Sequence, residues 1–213
     1  MDTTTLSSAT VLQWLRNCAQ TYRQHEDELT QLDAAIGDAD HGANMARGFT
    51  AVEGKLESLR DKDIGTIFKT VAMTLISTVG GASGPLYGTL FLQAAGGANG
   101  KAALTHGELV TVLSAGLQGL MNRGKAQPGE KTMVDALVPA LEALKPGEND
   151  SLSSALDRAV AACEKGADST VPLVAKKGRA SYLGERSAGH LDPGAASSTL
   201  LLKALQEALS SSA

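Results

Sequence analysis

"IGTIFKTVAMTLISTV", residues 64–79, decides the fold class. Its apolar positions Ile64, Ile67, Phe68, Val71, Ala72, Leu75, Ile76 and Val79 recur at i, i+3 and i+4, the spacing of one face of an α-helix. The same period runs through Leu109, Val112, Leu113, Gly116, Leu117 and Leu120, and through Val134, Leu137, Val138, Leu141 and Leu144. It returns in Ser197, Leu200, Leu201, Ala204, Leu205 and Ala208. Strict alternation never extends over five or more residues, so the pattern predicts no strand and an all-α chain.

The punctuation agrees. Thr105 and Glu108 have capping-box spacing, Ser151 precedes an apolar run, and Asp192-Pro193 pairs an N-cap carboxylate with proline at the first helical position. Gly80-Gly81, Gly96-Gly97, Gly124 and Gly147 stand where helices would stop. These signals predict about eight helices, over residues 6–26, 41–59, 63–79, 84–97, 105–123, 132–144, 151–174 and 192–210. Short connections between them imply an antiparallel up-and-down array.

Composition narrows the class of protein. The 213 residues are enough for one well-cored domain, expected to span 1–213. Hydrophobic residues make up 43% and charged ones 20%, the balance of a globular chain. Aromatics are only 3%, which argues against base-stacking platforms, and the net charge of −4 has no long basic run, so neither nucleic acid nor an anionic membrane is an expected partner. Cys18 and Cys163 lie far apart in apolar helical stretches, as reduced core residues would. With no basic leader and no segment of eighteen uncharged apolar residues, a cytoplasmic protein is expected.

Three connections stand out: "DAAIGDADHG" (33–42), "GGASGPLYG" (80–88) and "KKGRASYLGERSAGHLDPG" (176–194). In an up-and-down array, loops after odd-numbered helices share one end. These follow the first, third and seventh predicted helices, and "RGKAQPGEKTM" (123–133) follows the fifth, so all four should converge.

Asp33, Asp38 and Asp40 within eight residues would repel one another unless a cation or a proton intervened. All-oxygen ligation by aspartate suits Mg²⁺ or Mn²⁺, with sites left for substrate phosphates. Solvated helix caps are the plain alternative. The spacing departs from an EF-hand, with Gly42 two residues after Asp40 and Phe49 at position 12 counted from Asp38. "GGANGKA" (96–102) departs from a Walker A, with Ala102 where a hydroxyl should bind the metal.

"GGASGP" lets the backbone approach a ligand closely, and Ser83 is placed to cap the helix that follows. "HGAN" (41–44) and "DPGA" (192–195) open two further helices, so three N-termini would aim at one end and, with a cation, make a polyphosphate site; a purely structural turn is the alternative for each. The loop holding Lys176, Lys177, Arg179, Tyr182 and Arg186 reads as a basic lid or as a solvated surface loop. His41 and His190 can be acid, base or helix cap. There is no GxSxG, no HExxH and no Cys–His pair, which favours phosphoryl transfer over covalent hydrolysis.

"LDAAIGDADHGANMARGF" (32–49), "VGGASGPLYGT" (79–89), "RGKAQPGEKTMVDAL" (123–137) and "GRASYLGERSAGHLDPGA" (178–195) together resemble the nucleotide-binding L subunit, the kinase domain, of the dihydroxyacetone kinase family. The resemblance implies an eight-helix antiparallel barrel with the nucleotide at one end under a capping loop. It implies two Mg²⁺ on Asp33, Asp38 and Asp40. Nucleotide contacts are implied from His41, Gly42, Ala43, Asn44, Ala82, Ser83, Thr132, Met133, Arg179, Asp192, Pro193 and Gly194, with Gly124 a looser candidate, and Arg179 would meet the transferring group. One branch of the family is fused to a substrate-binding domain and uses ATP; the other is a separate chain carrying tightly bound ADP. The chain ends soon after its last predicted helix, so the separate branch is expected. A phosphocarrier M subunit of the phosphoenolpyruvate phosphotransferase system would then recharge ADP, and dihydroxyacetone would be phosphorylated on the K subunit. A direct ATP-dependent kinase of a related ketose, and a nucleotide-state sensor docking on a transcription regulator, remain alternatives.

Overall fold

The computed structural model describes residues 5–145, 147 and 150–211; the outermost residues of the expected 1–213 unit lie outside them. Nine α-helices form among the described residues: α1 Ser8–Gln24, α2 Glu26–Ile36, α3 His41–Glu53, α4 Ile64–Thr78, α5 Ser83–Gly97, α6 His106–Gly124, α7 Met133–Leu144, α8 Leu152–Asp168 and α9 Pro193–Ser211. Short 3₁₀ segments cover Leu56–Leu59 and Arg179–Ser187.

The helices begin where side-chain oxygens satisfy their first amides. The Ser7, Asp63 and Ser151 side chains accept from Thr10, Thr66 and Ser154. Thr105–Glu108 and Thr132–Asp135 are complete capping boxes. α6 ends at Lys125 in the left-handed conformation.

Three boundaries differ from the sequence reading. The first predicted helix, 6–26, ends at Gln24, and a further helix that was not expected, α2, follows His25, so Asp33 sits on a helix, not in a loop. Glu26, Asp27 and Glu28 favour a new N-terminus there, and no glycine or proline marks the break. The second predicted helix ends at Glu53, and the seventh at Asp168. A two-stranded antiparallel sheet also forms, β1 Thr5–Ser7 on β2 Ala103–Thr105, with Leu6 opposite Leu104. At three residues per strand, alternation is too short to register in a sequence.

Successive helices pack from α3 through α9, and α9 returns to α1, which packs on α3 in turn. Trp14, Phe68 and Phe91 meet in the interior with ring centroids 5.6–6.1 Å apart. Trp14 Nε1 donates to Leu201 O at 2.9 Å, fixing α1 to α9. α8 lies so close to α7 that a Cβ on Gly166 would stand 2.4 Å from Asp135 O. Cys18 and Cys163 are buried and unpaired, as expected of core thiols. Among the described residues no helix is long and apolar enough to cross a membrane.

Candidate functional site

The four loops do converge. They enclose a cleft of about 710 Å³, in the size range of small-molecule sites. Its walls include Asp33, Asp38, Asp40 and His41; Gly80 to Ser83; Gly124 and Lys131 to Met133; Lys176 to Tyr182; and Asp192 to Gly194.

The three aspartates offer carboxylate oxygens within 4.8 Å of one another. Asp33 is buried on α2, and its Oδ2 accepts from the amides of Asp40 at 2.9 Å and His41 at 3.2 Å. One carboxylate thus caps α3 from outside and holds the 38–40 loop beside itself. Ala39, at φ 61, turns the chain between Asp38 and Asp40. Gly37 admits this arrangement because it lacks a side chain: a Cβ there would stand 2.0 Å from Asp33 Oδ1. Such an all-oxygen, all-carboxylate cluster fits a hard divalent cation. Across the cleft, Arg179 Nη2 pairs with Asp38 Oδ2 at 3.0 Å, bringing the lid onto the cluster.

His41 is buried, and desolvation lowers its pKa against the pull of Asp33 and Asp40. Its Nδ1 bonds Ser83 Oγ at 3.0 Å and its Nε2 bonds Ser197 Oγ at 2.9 Å. Ser83 therefore does not cap α5, contrary to the sequence reading, and α5 starts with no side-chain cap. The other two N-termini differ: Asp33 takes amides of α3, and Asp192 Oδ2 accepts from Ala195 at the start of α9 at 2.8 Å. Of the three expected anion sites, only α5 starts without a carboxylate on its amides. Asp192 itself is desolvated enough to be pushed up to about 7.

Not every predicted contact reaches the cleft wall. Gly42 is pressed against α2, where a Cβ would stand 2.0 Å from Glu26 O. Asn44 lies behind the glycine loop, its Oδ1 accepting from Gly80 N at 3.3 Å. Ala43, Arg186 and the His190 imidazole do not line the cleft either. Conversely, Leu86, Tyr87, Leu120, Arg123 and Lys131 line it without having been singled out. The aromatic and apolar ones share the helical period of the core, and Lys131 has no pattern that separates it from a surface lysine.

The DAK2 domain family model matches residues 35–207. The chain is 48% identical over 202 residues to the ADP-binding subunit of phosphoenolpyruvate-dependent dihydroxyacetone kinase of Escherichia coli, covering 94% of this chain and 96% of that one. It is 45% identical to the corresponding subunit of Lactococcus lactis, over 95% and 98% of the two chains. An L-erythrulose 1-kinase of Mycolicibacterium smegmatis is 34% identical over 92% of this chain but only 34% of its own length. The dihydroxyacetone kinase of C. freundii, solved with AMP-PNP and Mg²⁺, superposes with a TM-score of 0.72 at 29% identity, over 95% of this chain and 34% of that one. The chain belongs to the DAK2 domain family.

Proposed function

We propose that the chain is the ADP-binding subunit of a phosphoenolpyruvate-dependent dihydroxyacetone kinase. The observation that carries this reading is the match to separate ADP-binding subunits over 96–98% of their length, whereas the L-erythrulose 1-kinase is matched over only 34% of its own. Bound ADP would accept a phosphoryl group from the phosphocarrier M subunit. The resulting γ-phosphoryl group would pass to a hydroxyl of dihydroxyacetone on the K subunit, regenerating ADP. The reading implies a cytoplasmic location.

In this reading Asp33, Asp38 and Asp40 would hold Mg²⁺, which offsets charge on the nucleotide phosphates when bound. The amides of Gly81 to Ser83 at the uncapped start of α5 would donate to phosphate oxygens. Thr132, Met133 and Asp192 to Gly194 form the facing wall, and Gly124 stands at the end of α6. Arg179 would meet the transferring group from the lid, where its charge neutralises the phosphoryl oxygens. Phosphoryl transfer needs positioning and electrostatics more than a nucleophile from this chain.

Purification without added nucleotide, followed by denaturation and assay of released ADP, tests the reading. Stoichiometric ADP, and loss of labelled phosphoryl to dihydroxyacetone when K and M subunits are added, are the expected results. An empty chain that exchanges free ATP during turnover indicates a direct ATP-dependent kinase of a related ketose. Retention of label with the K subunit present indicates a sensor, such as one acting on a transcription regulator.

A further inference from the structure

Lys131 is a buried charge that the proposed chemistry leaves unused. Its side chain is 1% exposed, and its Nζ donates to Thr170 O at 2.6 Å and to His190 O. Those two carbonyls belong to the residues that flank the capping loop, 171–189. One ammonium thus gathers the point where the loop leaves α8 and the point where it returns toward α9.

The neighbouring bonds have the same sense. Gly189 N donates to Val171 O at 2.7 Å, and Asp192 N donates to Thr170 Oγ1 at 3.0 Å, closing the base of the loop. Higher up, Lys176 N donates to Glu130 O at 3.1 Å, so residue 130 continues the same seam. Burial lowers the Lys131 pKa, and the Asp192 and Asp135 carboxylates beside it oppose that shift. Lys131 also holds a left-handed backbone at φ 60, a conformation suited to glycine. A side chain retained at such a position must offset the strain through its own contacts. Lys131 immediately precedes Thr132, the N-cap of α7, while Asp192 to Gly194 form the opposite wall of the cleft.

We propose that Lys131 is a positioning residue whose ammonium clamps the two ends of the 171–189 loop and so keeps Lys176 to Tyr182 over the cleft. The clamp is a statement about the loop; its effect on ligand retention rests on the nucleotide reading above.

The test is hydrogen exchange on the full chain, comparing wild type with Lys131→Met and Lys131→Gly. Glycine relieves the backbone strain but removes the ammonium, so it separates the two. In both variants the 171–189 amides are expected to exchange at least about tenfold faster, while α4 and α5 amides keep wild-type rates. ADP dissociation should accelerate by a similar factor. Wild-type exchange of the loop in either variant overturns the clamp. Equal acceleration in α4 and α5 also overturns it, since Lys131 would then be a general fold residue. Unchanged ADP release from an opened loop overturns its positioning role. Failure of wild type to bind ADP counts against the proposed function instead, and leaves the exchange result to decide the clamp.

Discussion

Arg179 Nη2 and Asp38 Oδ2 stand 3.0 Å apart, one on the lid and the other in the aspartate cluster. Both side chains are substantially exposed, at 69% and 37%. An exposed pair of this kind contributes about 0–1 kcal/mol to stability. The proposed reading gives the pair a second role: a divalent cation held by Asp38 would compete with Arg179 and leave the guanidinium free to face phosphate oxygens.

Arg179→Ala separates those two roles. Stability is expected to stay within about 1 kcal/mol of wild type. Phosphoryl transfer to dihydroxyacetone should fall by about 10³-fold, the lower end for loss of an arginine that neutralises a transferring phosphoryl group. Transfer assays with all three subunits, alongside thermal melts, check both halves. Near-normal turnover would remove Arg179 from the chemistry.

The three aspartates should not behave alike. Asp38 accepts from no described backbone amide, whereas Asp33 Oδ2 accepts from two. Asp38→Ala should abolish Mg²⁺-dependent nucleotide retention and leave the melting temperature of the nucleotide-free protein unchanged. Asp33→Ala should lower that temperature as well, since loss of a helix-capping acceptor costs about 1 kcal/mol. Equal melting temperatures for the two nucleotide-free variants would contradict the capping role of Asp33.

This division of labour was only partly legible in the sequence. The helical period and the parity of the loops were enough to bring residues 33–40, 80–83, 131–133, 176–182 and 192–194 to one cleft, because amphipathic spacing and short connections restrict the topology strongly. The helix over Glu26–Ile36 was not legible, since an acidic first turn after a histidine resembles any exposed surface. Nor was Ser83's partner: a hydroxyl at a helix start reads as a cap, and only the fold brings His41 within 3.0 Å of it. Gly42 and Asn44 read as ligand contacts because they open a helix beside the aspartates, yet packing turns them toward α2 and the glycine loop.

Asp192 supplies a pH signature. Desolvation pushes its carboxyl up to about 7 in the folded chain, from the ordinary value of 3.8. Between those values the folded chain holds a proton that the unfolded chain has released. The unfolded state therefore binds fewer protons, and stability from this group falls as pH rises from about 4 to about 7. Asp192→Asn keeps a side-chain oxygen for the Ala195 amide but cannot ionise. Its melting temperature relative to wild type should rise progressively from pH 4.5 to pH 8. A difference that stays constant with pH would show that Asp192 ionises normally.

Gly37 offers the sharpest steric test of the proposed metal site. Its φ of −139 lies outside the left-handed region, but its ψ of −138 falls outside the main α and β regions, so Gly37→Ala adds local backbone strain to the steric clash. The added methyl would stand 2.0 Å from Asp33 Oδ1 and 2.9 Å from its Cγ, well inside contact distance. The carboxylate must rotate away, and in doing so it leaves Asp38 and Asp40 and loosens its hold on the amides of residues 40 and 41. Mg²⁺ affinity, read by calorimetry, is expected to fall by at least about tenfold, as befits a displaced ligand. The far-UV circular dichroism should be unchanged, because α2 and α3 keep their core contacts. Asp33→Asn should lose a comparable amount of Mg²⁺ affinity while keeping an oxygen for the α3 amides. If Gly37→Ala binds Mg²⁺ like wild type, the carboxylate of Asp33 is not a ligand, and the site reduces to Asp38 and Asp40.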